Sequence, residues 1–222
     1  MSMKNLCVLC AVSAGAMLAQ TTNTPPPEAN GHWYLGLGGG WAYSTNLTVD
    51  GPTSSATTGF KSGGAISVFG GEDTYEHFGG EARYLYRFSD FKLSSGSTNV
   101  SFGGHTQVAE GAILAHFRPR QSHIRPFIAF GGGIKILQGT GTESAGQPLG
   151  RFAALTATRE LLPTADIGFG VKVNMRQHVR LRFEVRDYLS APPSKVIAPA
   201  PGNSIGGVLN DIVGIASLVY AW

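Results

Sequence analysis

The stretch Gly207-Val-Leu-Asn-Asp-Ile-Val-Gly-Ile-Ala-Ser-Leu-Val-Tyr-Ala-Trp222 decides the reading of this chain. At a period of two, Trp222, Tyr220, Leu218, Ala216, Gly214 and Ile212 share one face of a strand, and Ala221, Val219, Ser217, Ile215, Val213 and Asp211 share the other. A strand that ends on an aromatic residue, with a second aromatic two positions before it, is an aggregation hazard in water. In a bacterial outer membrane the same strand is at home. Its aromatics lie in the interfacial girdle and its apolar side chains face lipid.

The composition agrees. Only 14% of the 222 residues are charged, 42% are apolar and 31 are glycine, against about 25% charged in an ordinary soluble domain. No apolar run reaches the roughly 18 residues of a spanning helix. The best candidate, 6–19, is short, follows Lys4 and ends in small residues, which is the pattern of a secretory signal peptide. The expected organisation is a signal peptide over 1–19 with cleavage after Ala19 (Ala16 being the alternative), a proline-rich periplasmic segment over 20–31 containing Pro25, Pro26 and Pro27, and a barrel over 32–222. Both cysteines, Cys7 and Cys10, fall inside the signal, so the exported part holds neither a disulfide nor a thiolate metal site. A net charge of +3, scattered along the chain, gives no footprint for nucleic acid.

Beyond residue 31, period-two segments rich in aromatic and β-branched residues alternate with Gly-, Ser-, Asn- and Pro-rich stretches. Eight strands are predicted, at 33–43, 60–71, 79–91, 100–117, 125–138, 165–175, 179–189 and 207–222. A weak helical period shows only around 151–162. The connections run long, short, long, short, long, short, long, which is the asymmetry of a transmembrane barrel with brief periplasmic turns and extended outer loops. The fold class is therefore all-β: a closed, antiparallel, up-and-down barrel of eight strands. An even strand number places both ends of the barrel in the periplasm.

The seventh strand fixes which face meets lipid. Arg180, Arg182, Glu184 and Arg186 alternate with Val179, Leu181, Phe183 and Val185. An arginine facing lipid costs about 2–4 kcal/mol at the midplane, so three facing outward would cancel much of the ~5–15 kcal/mol that holds a domain together. The charges must point inward. By the same rule Glu81, Arg83, Arg87, Glu110, Arg125, Lys135, Asp166, Lys172, Asn174 and Asp211 line the lumen. Buried charges persist only when paired, and eight strands enclose a space that side chains can fill. The expectation is a plugged lumen, with Arg180 and Arg182 near the level of Glu81, and Arg186 near Asp166 and Asp211.

Several segments resemble a known family, the small eight-stranded outer-membrane barrels, the class that includes the OmpA transmembrane domain and OmpX. Gly31-His-Trp-Tyr-Leu-Gly-Leu-Gly-Gly-Gly-Trp41 is similar to its first strand, Arg125-Pro-Phe-Ile-Ala-Phe-Gly-Gly-Gly133 to its Arg-Pro-aromatic strand, and Arg180-Leu-Arg-Phe-Glu-Val-Arg-Asp-Tyr188 to its Arg-x-Glu-x-Arg strand. The resemblance implies an outer-membrane location and contact with membrane lipid and lipopolysaccharide. It also implies delivery by periplasmic chaperones and the barrel-assembly machinery, which would read Leu218, Tyr220 and Trp222 as a C-terminal signal. No cofactor is implied, and the barrel is expected to be a monomer with a loop ligand the sequence does not name. OmpA-type proteins carry a peptidoglycan-binding domain after the barrel; no such domain is expected here, and their cell-wall tether is not carried over.

Chemistry is sparse. Five histidines, His32, His77, His116, His123 and His178, map near the periplasmic rim, where short turns accept polar side chains. Arg118, Arg120 and Arg125 bracket one turn and read as flanking charges in water. An outer-leaflet enzyme would need a nucleophile and base. Ser101, His105 and Glu110 are the available set, but His105 and Glu110 fall on opposite faces of a regular strand, and no catalytic residue is assigned. Gly36-Leu-Gly-Gly-Gly40 lacks the helix and Lys-Ser/Thr of a phosphate loop. The function expected is structural, supporting membrane integrity and surface presentation through four outer loops (44–59, 92–99, 139–164 and 190–206), with a narrow solute channel as the alternative.

Overall fold

The computed structural model describes residues 32–222 except 53 and 145. The signal peptide and the proline-rich segment expected before residue 32 lie outside the described residues. In chain order the strands are β1 (Trp33–Ser44), β2 (Leu47–Asp50), β3 (Ser55–Phe60), β4 (Gly63–Glu72), β5 (Phe78–Phe88), β6 (Phe91–Ser95), β7 (Thr98–Phe102), β8 (Gly104–His116), β9 (Ile124–Gly139), β10 (Ala153–Leu155), β11 (Arg159–Arg176), β12 (Val179–Ser190), β13 (Ile197–Pro199), β14 (Ser204–Gly206) and β15 (Leu209–Ala221).

Eight of them close into a barrel, β1-β15-β12-β11-β9-β8-β5-β4, every neighbour antiparallel. β15 closes it, pairing with β1 from Tyr34↔Ala221 to Ser44↔Asp211 and with β12 from Val179↔Tyr220 to Ser190↔Leu209. A sheet closed on itself leaves no backbone donor or acceptor facing hydrocarbon, which a membrane demands. The periplasmic turns are brief, at 73–77, 117–123 and 177–178, and the one register irregularity of the barrel pairs is a bulge between Asn174 and Arg176 beside the last of these.

Alternation sorts the side chains as the energetics require. Leu37, Trp41, Phe130, Phe169, Phe183, Leu218, Tyr220 and Trp222 are exposed on the outer wall, while Lys135, Asp166, Lys172, Arg180, Arg182, Glu184, Arg186 and Asp211 on the opposite face of the same strands are buried. Small residues shape the inner wall of β1. A Cβ at Gly36 would lie 2.3 Å from the Phe69 ring, and one at Gly38 would lie 2.1 Å from Ser217 Oγ. These glycines make room for side chains arriving from the neighbouring strands.

The outer connections depart from expectation. They were expected as loops, yet they carry seven short strands. β14-β2-β3-β6-β7 form a five-stranded sheet and β10-β13 a two-stranded one. The expected strands at 60–71, 79–91 and 100–117 had absorbed parts of this second layer. The first barrel return starts at Gly63, and β3, β6 and β7 are separate strands above it. The region 151–162, where a helical period showed, holds β10 and the start of β11, which is longer than expected. Among the described residues there is no helix.

The two outer sheets enclose a core of their own. Leu47, Val49, Ala56, Phe60, Phe91, Leu93, Phe102, Leu149, Phe152, Leu155, Val196 and Ile197 are buried together, with Leu137 and Leu209 joining from the barrel strands. Phe60 and Phe91 meet edge to face at 5.1 Å. All four outer connections contribute. At about 1.5–3 kcal/mol for each large apolar side chain buried, this cluster offsets the ordering entropy of the loops, which is why they fold over the barrel mouth as a cap.

Candidate functional site

The lumen is packed with charge in three tiers. At the outer end the Asp211 carboxylate accepts from Arg87 Nη1 at 2.5 Å, Lys135 Nζ at 2.8 Å and the Ser44 hydroxyl. Lys135 also donates to Ser190 Oγ at 2.9 Å. These groups come from five barrel strands and lie just beneath the cap.

The middle tier holds Glu81, Glu110, Asp166 and Glu184 against Arg83, Arg182 and Arg186. Glu81 accepts from Arg182, from Arg83 Nη2 at 2.8 Å, from Arg186 Nη2 at 3.1 Å and from the Tyr34 hydroxyl at 3.0 Å. Arg186 Nη1 reaches Asp166 at 2.9 Å and Glu110 at 3.1 Å, and the Tyr188 hydroxyl donates to Glu110 at 3.1 Å. Glu184 bridges Arg83 at 2.6 Å and Arg182 at 2.8 Å. Apolar rings close the gaps. The Arg182 guanidinium lies 4.6 Å from the ring centres of both Phe69 and Phe127, and that of Arg83 lies 4.7 Å from Phe69. Stacking of this kind shields the cations without consuming their N–H donors.

The periplasmic tier centres on Asp73, which the sequence reading left in a turn. The turn folds back so that its carboxylate sits inside the barrel mouth, accepting from Arg125 Nη1 at 2.7 Å, Lys172 Nζ at 3.0 Å and Arg180 Nη1 at 3.3 Å. Burial works to raise the pKa of this carboxyl, but the Lys172 and Arg125 cations outweigh it and hold the group well below the usual carboxylate range. The surrounding turns are tied to it. Arg120 donates to the Asp73 carbonyl at 2.5 Å and to His32 Nδ1 at 2.8 Å, and Arg125 donates to the Glu76 carbonyl at 2.7 Å.

The thirteen charges assigned to the lumen from sequence are all buried. Arg182 pairs with Glu81, and Arg186 with Asp166. Asp211 instead meets Arg87 and Lys135, and Arg180 meets Asp73 rather than Glu81. Sequence reasoning missed Asp73, Tyr34, Tyr188, Phe69 and Phe127. Parity along the strands would have found the last four, whereas a turn residue has no parity to read.

Two rim assignments are corrected. His116 is the last inward residue of β8, buried with its Nε2 3.7 Å from Asp73, and is not a polar side chain accommodated in an exposed turn. Arg120 and Arg125 are likewise buried, because the turn folds over them, and of the bracketing arginines only Arg118 is exposed. His77 and His178 donate from Nδ1 to backbone carbonyls, those of His116 (2.9 Å) and Ala221 (2.8 Å). Among the described residues no three His, Cys, Asp or Glu side chains converge as metal ligands.

Ser101, His105 and Glu110 do not assemble. Ser101 lies on β7 in the cap and donates to Asp90 at 3.5 Å, His105 stacks on Tyr86 outside the barrel, and Glu110 points into the lumen.

Eight closed strands, an apolar exterior and an ionic interior define an integral outer-membrane barrel. The sequence profile of the outer membrane protein beta-barrel domain matches residues 7–195, and the chain belongs to that family. Its fold is similar to that of Neisserial surface protein A, with a TM-score of 0.54 at 11% identity over 86% of this chain and 97% of that one. It is equally similar to OprG of Pseudomonas aeruginosa, with a TM-score of 0.54 at 10% identity over 90% of this chain and 99% of that one. No curated protein matches the chain.

Proposed function

We propose that this protein is a sealed, structural barrel of the outer membrane whose surface role is carried by its folded cap. The observation that carries the reading is the double closure of one axis. Three tiers of paired charge fill the bore, and an apolar core built by all four outer connections lies over its mouth. An ion entering would have to displace guanidinium groups already held by several carboxylates, and then leave through a hydrophobic layer. The cap presents β2, β3, β6, β7 and β14 outward on a rigid base, the arrangement in which loops bind partners.

Single-channel recording on refolded protein in planar bilayers tests this. The expected trace is flat at all moderate voltages. Discrete, voltage-stable conductance steps in the wild type would favour the narrow solute channel and overturn the sealed-barrel reading.

The biogenesis reading is part of the same proposal. Leu218 and Tyr220 on β15 and Trp222 just after it form an exposed row, with Tyr220 and Trp222 stacked at 6.1 Å between centroids, and this row is assigned as the assembly signal. Trp222→Ser is expected to lower the folded fraction in cells while leaving refolding from urea into detergent intact. Equal loss in both settings would make the row structural only.

A further inference from the structure

The outer wall carries a second feature that the sealed lumen does not use. In the pairing of β5, β8, β9 and β11, Phe88 lies opposite His105, His105 opposite Gln138, and Gln138 opposite Arg159. All four sit on the outward parity, so one row of side chains runs across four strands at the cap end of the barrel wall. Adjacent strands are about 4.8 Å apart, which places the His105, Gln138 and Arg159 side chains within about 10 Å of one another. Arg159 is exposed, and among the described residues neither its side chain nor that of Gln138 makes a hydrogen bond or ion pair. One row below, by contrast, Gln107 is satisfied by the Tyr84 hydroxyl at 2.8 Å. The donors left over face outward at the height where lipid head groups lie, above the belt of Tyr84 and Tyr86.

Beneath the row the same strands turn small. Gly111 and Gly132 lie opposite each other on the outward face, and with Gly80, Ile113 and Phe130 they line a shallow, open hollow of 580 Å³ on the barrel wall. No heavy atom would lie within 4 Å of a Cβ at Gly111. From His105 to Gly111 the strand advances about 20 Å. At a tilt of roughly 40° that is a descent of about 15 Å, half of the ~30 Å hydrocarbon core. The hollow therefore lies where the acyl chains of an outer-leaflet lipid end.

We propose that the His105–Gln138–Arg159 row and the glycine hollow below it form one docking site for a phosphorylated outer-leaflet glycolipid, its phosphate on the row and an acyl chain in the hollow. Arg159 supplies the charge and a planar fork suited to phosphate oxygens. Gln138 and His105 add N–H donors, and the aromatic belt packs the first methylenes. The inference rests on the membrane orientation of the barrel and is independent of whether the lumen conducts, so the bilayer recording and the experiment below fail separately.

The test is native mass spectrometry of the refolded barrel in detergent, incubated with lipid A, with dephosphorylated lipid A, or with lipid A plus excess inorganic phosphate. Wild type is expected to retain lipid A and to retain the dephosphorylated lipid far less. Replacing Arg159 and Gln138 together by Ala should cut retention of lipid A about tenfold, the value of one charge-assisted hydrogen bond. Gly111→Leu, which fills the hollow, should cut it as well, while Lys195→Ala on the cap leaves it unchanged. Gel mobility before and after boiling confirms that each variant is folded. Unchanged retention in the Arg159/Gln138 variant, equal retention of the dephosphorylated lipid, or full displacement by inorganic phosphate would overturn the head-group assignment. Unchanged retention in Gly111→Leu would overturn the acyl-chain half.

Discussion

Replacing Asp73 by Ala removes a carboxylate that Arg125, Lys172 and Arg180 all reach. Its side chain is fully buried, as are those of its partners to within 2%. Breaking a buried pair by deleting one member costs about 3–5 kcal/mol, because the remaining charge loses its compensation in a low-dielectric site. The cations are not left wholly bare. Arg125 keeps the carbonyls of Glu76 at 2.7 Å and Arg118 at 3.1 Å, and Lys172 lies 4.4 Å from the Tyr34 ring centre. The expected loss is therefore at the lower end, about 3 kcal/mol, or roughly 100-fold in the folded-to-unfolded ratio. The assay is reversible urea unfolding of the barrel in lipid vesicles, followed by fluorescence of Trp33, Trp41 and Trp222, with exposed Asp50→Asn as the control. The pH dependence has a definite sign. A carboxyl whose pKa is depressed by folding contributes its stability fully above the unfolded value, 3.8 for an ordinary aspartate, and loses it as pH falls toward the folded value. The gap between wild type and Asp73→Ala should be constant at neutral pH and shrink below about pH 4. A loss under about 1 kcal/mol, or a gap that widens in acid, would refute the assignment of Asp73 as the lower anchor of the lumen.

Three further outcomes are expected. Phe91→Ala, at the centre of the outer core, should weaken the cap by about 3 kcal/mol, raising hydrogen exchange across β6 and β7 while the heat-dependent gel shift of the barrel is kept; loss of the shift would mean that cap and barrel fold as one unit. Glu160 accepts the backbone N–H groups of Ser194 (2.9 Å), Lys195 (2.8 Å) and Val196 (3.2 Å), so Glu160→Ala should speed exchange at those three amides by at least about tenfold, and unchanged protection would discount the staple. Gly40→Val should sharply lower the refolded fraction, since a Cβ there would sit 1.8 Å from the Gly214 carbonyl oxygen, whereas Gly214→Ala, with open space around it, should refold as wild type.

The barrel was legible because hydrocarbon makes a strict reader of parity. On β12 a one-residue slip would turn Arg180, Arg182 and Arg186 toward lipid, and that single constraint of parity propagates to β11 and β15 through pairing. The face of each lumen charge could be read for the same reason. Contacts between tiers could not, because depth depends on strand stagger around the whole circuit. Asp73 was hidden because a turn can aim its side chain anywhere. The cap was hidden by length. β10, β13 and β14 have three residues each, too few for a period to emerge. A trace of it was present: Leu47 and Val49, then Phe91 and Leu93, alternate inside segments otherwise rich in Ser, Thr and Gly, and both pairs are buried in the outer core.

That outer core has a consequence for how the exposed face of this protein can diversify. In a barrel whose crown consists of separate loops, each is free to drift under immune or phage pressure without regard to the others. Here Leu47 of the first connection, Leu93 of the second, Leu155 of the third and Ile197 of the fourth are packed into one shared interior. Variation must therefore be confined to the outward residues between these anchors, or come as compensated sets that span all four segments at once.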